Sequence, residues 1–186
     1  DGRELPVPQA AVADRLNYNN LKRSPDAVWT VSGGVTNALA EVAPRVWSNA
    51  AARVETPAVQ GGTQVRVSAP DTALETVVMR WTGGLPEAAK LLGDVWERSY
   101  GDLAWRPLGA ARPMPWYFLA SDGRVTHGYG VAVQPAALCC WTADKDGVTL
   151  VLDVRAGGMG VRLGGRTLNA CTVLSRAWVT NETPFQ

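Results

Sequence analysis

The chain has 186 residues with 18 Lys and Arg against 17 Asp and Glu, one His, 19 Gly, 12 Pro and 8 Trp. A net charge of +1 without a basic run excludes the positive stripe that follows a phosphate backbone, so nucleic acid is not an expected partner. No apolar run approaches the roughly 20 residues of a membrane span, and the opening DGRELPVPQ has neither the charged nor the apolar region of a signal peptide, so a soluble, cytoplasmic protein away from membranes is expected.

The length suits one large β domain with a sizeable core. Residues 1–25 form the least determined segment, an N-terminal arm in which QAAVADRL has the composition of two helical turns and Ser24-Pro25 marks a turn. Residues 27–31 (AVWTV) read as a strand closed by Ser32-Gly33-Gly34. Segments 41–47, 53–56, 64–68 and 72–81 alternate apolar and polar side chains, with Pro57, Gly61-Gly62 and Pro70 between them. That is the pattern of antiparallel strands with one buried and one wet face. Segment 85–92 (LPEAAKLL) reads two ways, since its alanines and leucines suit a helix and the following Gly93-Asp94 suits a strand.

Beyond residue 94 the expected strands are richer in aromatics. Residues 113–120 and 125–133 flank Asp122-Gly123, a hairpin signal because both residues tolerate positive φ. Residues 136–143 and 148–155 flank DKDG at 144–147, and VTLVLDVR is dense in β-branched residues. Gly157-Gly158 turns the chain toward 160–163 and, past Gly164-Gly165, toward 166–174, after which 175–186 reads as an exit linker. These signals add up to a dozen or more strands, too many for one open sheet. The predicted fold is therefore all-β, a large antiparallel two-sheet sandwich over residues 26–174 with few short helices.

Cys139, Cys140 and Cys171 make an odd count, and the first two are neighbours whose side chains point to opposite faces of a strand. They predict buried free thiols in a reducing compartment, with no disulfide framework. One His and scattered Cys build no metal site, and Gly157, Gly158 and Gly160 lack the strand-then-helix setting of a phosphate loop. No metal or cofactor is expected.

The densest chemistry falls in 93–131. Trp96, Tyr100, Trp105 and Trp116 stand among Glu97, Arg98, Asp102, Arg106, Asp122 and His127. Aromatic faces cover the C–H face of a sugar ring while carboxylates and guanidinium groups bond its hydroxyls, so Trp96, Tyr100, Asp102, Trp105, Trp116 and His127 are the candidate carbohydrate-binding residues. The competing reading of the same residues is a sandwich core of tryptophans with charges on its outside.

The succession Trp96-Glu97-Arg98, Tyr100-Gly101-Asp102-Leu103, Trp105-Arg106, Met114-Pro115-Trp116-Tyr117-Phe118, Asp122-Gly123 and Thr126-His127-Gly128-Tyr129-Gly130-Val131 resembles the N-terminal β-domain of bacterial α-galactosidase-like glycoside hydrolases, the melibiase group of family 36 and its clan. The resemblance continues through Leu152-Asp153-Val154-Arg155, Gly157-Gly158, Gly160-Val161 and Leu168-Asn169-Ala170-Cys171-Thr172-Val173, covering about residues 80–185. It departs at Ala104, where the pattern has a charged residue, which puts the polar contacts of that loop in doubt. It also favours a bend leading into a strand for 85–92.

The resemblance implies a supersandwich of the galactose-mutarotase kind, severed from a catalytic (β/α)₈ barrel that would follow the exit linker. Such enzymes cleave α-galactosides through two carboxylates about 5 Å apart, here expected on the barrel and not in this chain. The implied partners are that barrel, a galactoside, and a second copy of the chain, since such domains lend side chains to the sugar pocket across subunit interfaces; Asp102, Trp105 and Trp116 stand in the matching motif. The chain itself is expected to be non-catalytic. Glu97 and Asp102, on an extended chain, lie about 16 Å apart at about 3.3 Å per residue and on opposite faces. The alternatives are a free-standing carbohydrate-binding or structural sandwich and, further off, a mutarotase-type enzyme using His127 with Glu97 as base and acid.

Overall fold

The computed structural model describes residues 3–4, 20–83, 89–95, 103–108 and 112–179. Along the chain, β1 (Arg3–Glu4) is followed by a 3₁₀ turn at Asn20–Lys22, then β2 (Ala27–Ser32), β3 (Val35–Ala43), β4 (Val46–Ser48), β5 (Arg53–Glu55), β6 (Ala58–Val59), β7 (Gly62–Ser68) and β8 (Thr76–Thr82). The second half holds β9 (Lys90–Gly93), β10 (Arg106–Pro107), β11 (Met114–Pro115), β12 (Tyr117–Ser121), β13 (Val125–Val131), β14 (Leu138–Asp144), β15 (Gly147–Asp153) and β16 (Leu168–Val179). The fold is all-β, as expected.

The strands join in one hydrogen-bonded succession, β10-β9-β12-β13-β16-β7-β5-β4-β3-β2-β8-β15-β14-β11, with β1 on β16 and β6 on β7. The two layers expected as separate sheets are thus continuous through β3, which pairs with β2 over Val35–Leu39 and with β4 over Ala40, Glu41 and Ala43, with a register shift inside the second pairing. A bulge of this kind bends a strand, which lets β3 serve both layers.

The layers face each other through side chains that obey the two-residue period. In β8, Val77, Met79 and Trp81 are buried, and in β15, Val148, Leu150 and Leu152. Register lines up Val28, Met79, Leu150, Trp141 and Met114 as one buried row across β2, β8, β15, β14 and β11. From the other layer Phe118 on β12 meets Trp141 at 5.8 Å between ring centroids, and Trp141 lies 6.4 Å from Trp81. Phe118 in turn stacks on Tyr129 of β13 at 4.8 Å. Full burial of a side chain such as Phe118 or Met79 is worth roughly 1.5–3 kcal/mol, so this aromatic column helps to hold the layers together.

Polar groups fix the strand ends. Asp26 Oδ2 accepts from the Thr82 backbone N–H at 2.6 Å and its hydroxyl at 2.7 Å, while Arg23 grips both carboxylate oxygens. Burial works against that charge, yet the bonds from Arg23 and Thr82 outweigh it and hold the carboxyl at about 2. Arg80 forks onto Asp144 at 2.9 and 2.7 Å and reaches the Thr149 hydroxyl at 2.9 Å, tying β8, β14 and β15 on their outer face.

Several boundaries differ from the expectation. Segment 41–47 is no single strand: Pro44-Arg45 turns there, with Arg45 at φ 63° and its guanidinium bonded to the carbonyls of Thr56 and Lys22. Segment 160–163 contributes only the bridge Leu74↔Val161, because left-handed glycines at 157, 158 and 164 close turns on both sides of it. Ser175–Val179, read as the start of an exit linker, is strand: it continues β16 against β13, from Tyr129↔Ser175 to Val125↔Val179. Segment 85–92 ends in β9, whereas QAAVADRL and residues 84–88 lie outside the described residues.

Candidate functional site

The sequence treats 113–120 as one strand, but the chain breaks it at Trp116. Met114 and Pro115 pair with Trp141 and Cys140 in one layer, and Tyr117 onward pairs with β13 in the other. Trp116 makes the crossing at φ 66°, a left-handed conformation that a bulky residue adopts only when its surroundings impose it. Here they do so through the backbone. The Trp116 N–H donates to the Cys139 carbonyl at 3.0 Å, and the Trp116 carbonyl accepts from the Val131 N–H at 3.1 Å and from the Trp141 indole N–H at 3.1 Å. One residue therefore fastens β14 to β13, and its own side chain is left 36% exposed.

Other apolar side chains are exposed around this corner. Tyr117 pairs with Gly130 and Gly130 with Leu174, so Tyr117 and Leu174 flank a floor without a side chain on the outer face; a Cβ on Gly130 would sit 3.2 Å from Tyr117 Cβ. The connection from β13 to β14 leaves beside the Trp116 carbonyl and returns beside its N–H; it carries Val133 at 92% exposure, and Leu138, the first residue of β14, is 52% exposed.

Trp105 is half-buried immediately before β10. Since β9 runs antiparallel to both β10 and β12, Trp105 and Trp116, each preceding its strand, lie at the same end of β9 and on either side of it. His127 is not part of that exposed group. The paired row Arg106, Leu91, Ala120, His127 and Ala177 runs across five strands, and His127 is stacked on the buried Tyr129 at 6.4 Å and 9°, between the layers rather than facing solvent. Burial lowers its pKa, opposed by the charge of Asp122. Trp96, Tyr100 and Asp102, with Glu97 and Arg98, lie outside the described residues.

Asp122 is occupied by its hairpin. Its Oδ1 accepts the Arg124 and Val125 N–H groups, each at 2.9 Å, and Gly123 takes φ 87° as the Asp-Gly signal requires. Burial resists its ionisation, but these N–H groups and nearby His127 hold its carboxyl below the usual range.

Among the described residues, His127 Nδ1, the Tyr129 hydroxyl and Arg112 Nη2 are buried without a hydrogen-bonding partner. Burial pushes the Tyr129 phenol far up, so it stays protonated. Arg112 and Arg106 line a small, open recess together with Leu91, Gly93, Ala104, Pro107 and Met114. The recess opens at the β9–β10 margin, where Gly93 is required because a Cβ there would meet Met114 at 2.4–2.7 Å. The sequence reading passed over Arg112, although it shares a two-residue phase with buried Met114, which is a signal that it faces inward.

Of the three cysteines expected to be buried thiols, Cys139 and Cys171 are buried and Cys140 is not fully so; the Cys139 thiol donates to the Ala137 carbonyl at 3.4 Å, and neighbouring Cys139 together with burial pushes the Cys171 thiol far up. Cys140, half-buried, is also raised, mainly by burial. Among the described residues no group of three His, Cys, Asp or Glu is placed to hold a metal, and no helix is long and apolar enough to cross a membrane. Comparison of the chain with protein-family models, with curated proteins and with solved structures finds no match.

Proposed function

We propose that this chain is the non-catalytic β-sandwich module of an α-galactosidase-like glycoside hydrolase, docking on a catalytic (β/α)₈ barrel and offering aromatic side chains to the rim of its sugar pocket. The observation that carries the reading is the exposed apolar surface beside the strained crossing: Trp116 stands at the crossing itself, and Tyr117 and Leu174 flank Gly130 on the outer face of the adjoining layer. Contiguous apolar surface seldom faces water unless it meets a partner, and aromatic residues are enriched at such contacts. The motifs from Trp96 to Val131 supply the identity of that partner by resemblance. Bond cleavage belongs to carboxylates of the barrel; the module contributes position and surface.

The test uses the polypeptide that carries both units. Tyr117→Asp combined with Leu174→Asp is expected to split one thermal transition into two while this module keeps its own unfolding midpoint. A single unchanged transition, or turnover of an aryl α-galactoside by the 186-residue chain alone, would overturn the reading.

The exposed Trp116 also favours a second reading, a self-contained carbohydrate-binding sandwich. Titration of the isolated chain with galactose, melibiose and raffinose separates the two. Millimolar or tighter binding, lost in both Trp116→Ala and Trp105→Ala, supports the free-standing module, and no binding of any of the three supports the docking role.

A further inference from the structure

We infer that the recess between the β9–β10 margin and the segment entering β11 binds a carboxylate group through Arg106 and Arg112. Both residues line it, and among the described residues neither has an acidic partner, whereas Arg23, Arg53, Arg80 and Arg155 are each bridged to a carboxylate. Arg112 Nη2 is buried without an acceptor. An unpaired guanidinium nitrogen held away from water is costly, and the group that relieves that cost is an oxyanion presented at the recess.

The lining selects the class of anion. Arg forks match the two coplanar oxygens of a carboxylate. Among the described residues, the walls apart from the two arginines are Leu91, Gly93, Ala104, Pro107 and Met114, which bring no further side-chain donor for the additional oxygens of phosphate or sulfate. Apolar walls also lower the local dielectric, which strengthens the ion pair once it forms. Arg106 is exposed and half-buried Arg112 sits deeper, so a carboxylate entering from solvent meets Arg106 first and is completed by Arg112. The site does not depend on the docking reading and belongs to the isolated chain.

Acetate and D-galacturonate serve as probes, with galactose and inorganic phosphate as controls, read from guanidinium N–H resonances of the 186-residue chain in a chloride-free buffer. Both carboxylates are expected to shift the Arg112 signals saturably, and Arg106→Gln and Arg112→Gln are each expected to weaken binding about tenfold or more. Equal affinity for acetate and galacturonate identifies the carboxylate alone as the ligand, and tighter galacturonate binding identifies an acidic sugar; either supports the site. Phosphate binding more tightly than either carboxylate, or Arg106→Gln binding like the parent, overturns it. Because Arg106 is exposed, its substitution leaves the fold intact and keeps the test decisive even if Arg112→Gln unfolds.

Discussion

The layer made of β2, β8, β15 and β14 and the margin made of β9 to β13 use the same residue types to different ends. In the first, β15 pairs over seven residues with β14 and over seven with β8, its buried side chains alternate without a break, and Arg80 is fully engaged by Asp144 and Thr149. In the margin, β10 and β11 have two residues each, the chain crosses layers at a left-handed Trp116, and a guanidinium nitrogen, an imidazole nitrogen and a phenol are buried without partners. The lesson is that a long ladder satisfies its backbone and leaves side chains only the task of packing. Short, interrupted strands leave polar groups in the interior, and such groups are where binding chemistry is to be sought.

The most severe way to break this comparison is to remove the residue that joins the two regions. Trp141→Ala deletes the ring between Trp81 and Phe118 and the donor to the Trp116 carbonyl, and is expected to cost about 4 kcal/mol in urea unfolding. Gly93→Ala drives a methyl into Met114 and should cost about 2 kcal/mol, and clearly less when made in a Met114→Ala background if the clash is the cause. A loss below about 0.5 kcal/mol in the single variant would mean that the margin is loosely packed.

Smaller effects sharpen the contrast. Trp116→Gly should be about 1 kcal/mol more stable than Trp116→Ala, because only glycine takes a φ of 66° without strain; equal stability would deny that the crossing is strained. Tyr129→Phe removes a buried hydroxyl that has no partner and should be neutral or stabilising by up to about 1 kcal/mol. A clear loss would reveal a hydrogen bond made in solution.

The gentlest test is pH. Burial depresses His127 below 6.5, so below 6.5 the unfolded chain binds more protons than the folded one and stability falls as pH drops toward the folded value. Asp144 is depressed below 3.8, first by the bond from Arg80, so its contribution is intact above 3.8 and is lost only below it. Amide protection factors, corrected for the intrinsic pH dependence of exchange, should therefore fall near His127 between pH 7 and 5 while those in β8 and β15 hold, and His127→Gln should flatten the first response. Parallel loss in both regions would refute the division.

Legibility followed the same division. VTLVLDVR and the Asp122-Gly123 hairpin were readable because period and turn chemistry are local. The break at Trp116 was not readable, since nothing in MPWYF separates a continuous strand from one that changes layer; the bonds that impose it come from Cys139, Val131 and Trp141. His127 was read as a sugar contact, yet register with Ala120 and Ala177 sets it between the layers beside Tyr129.

By itself the sequence determined the all-β class, the order of most strands and the principal hairpins, because alternation and glycine turns act over a few residues; of the three cysteines it placed in the interior, Cys140 is only half-buried. Tertiary structure alone decided that β3 joins the two layers, that β16 runs on through Val179, and that Arg106 and Arg112 share one recess. Those features depend on which strands become neighbours, and neighbours distant in the chain are chosen by packing and register across the sheet, which no short window of residues encodes.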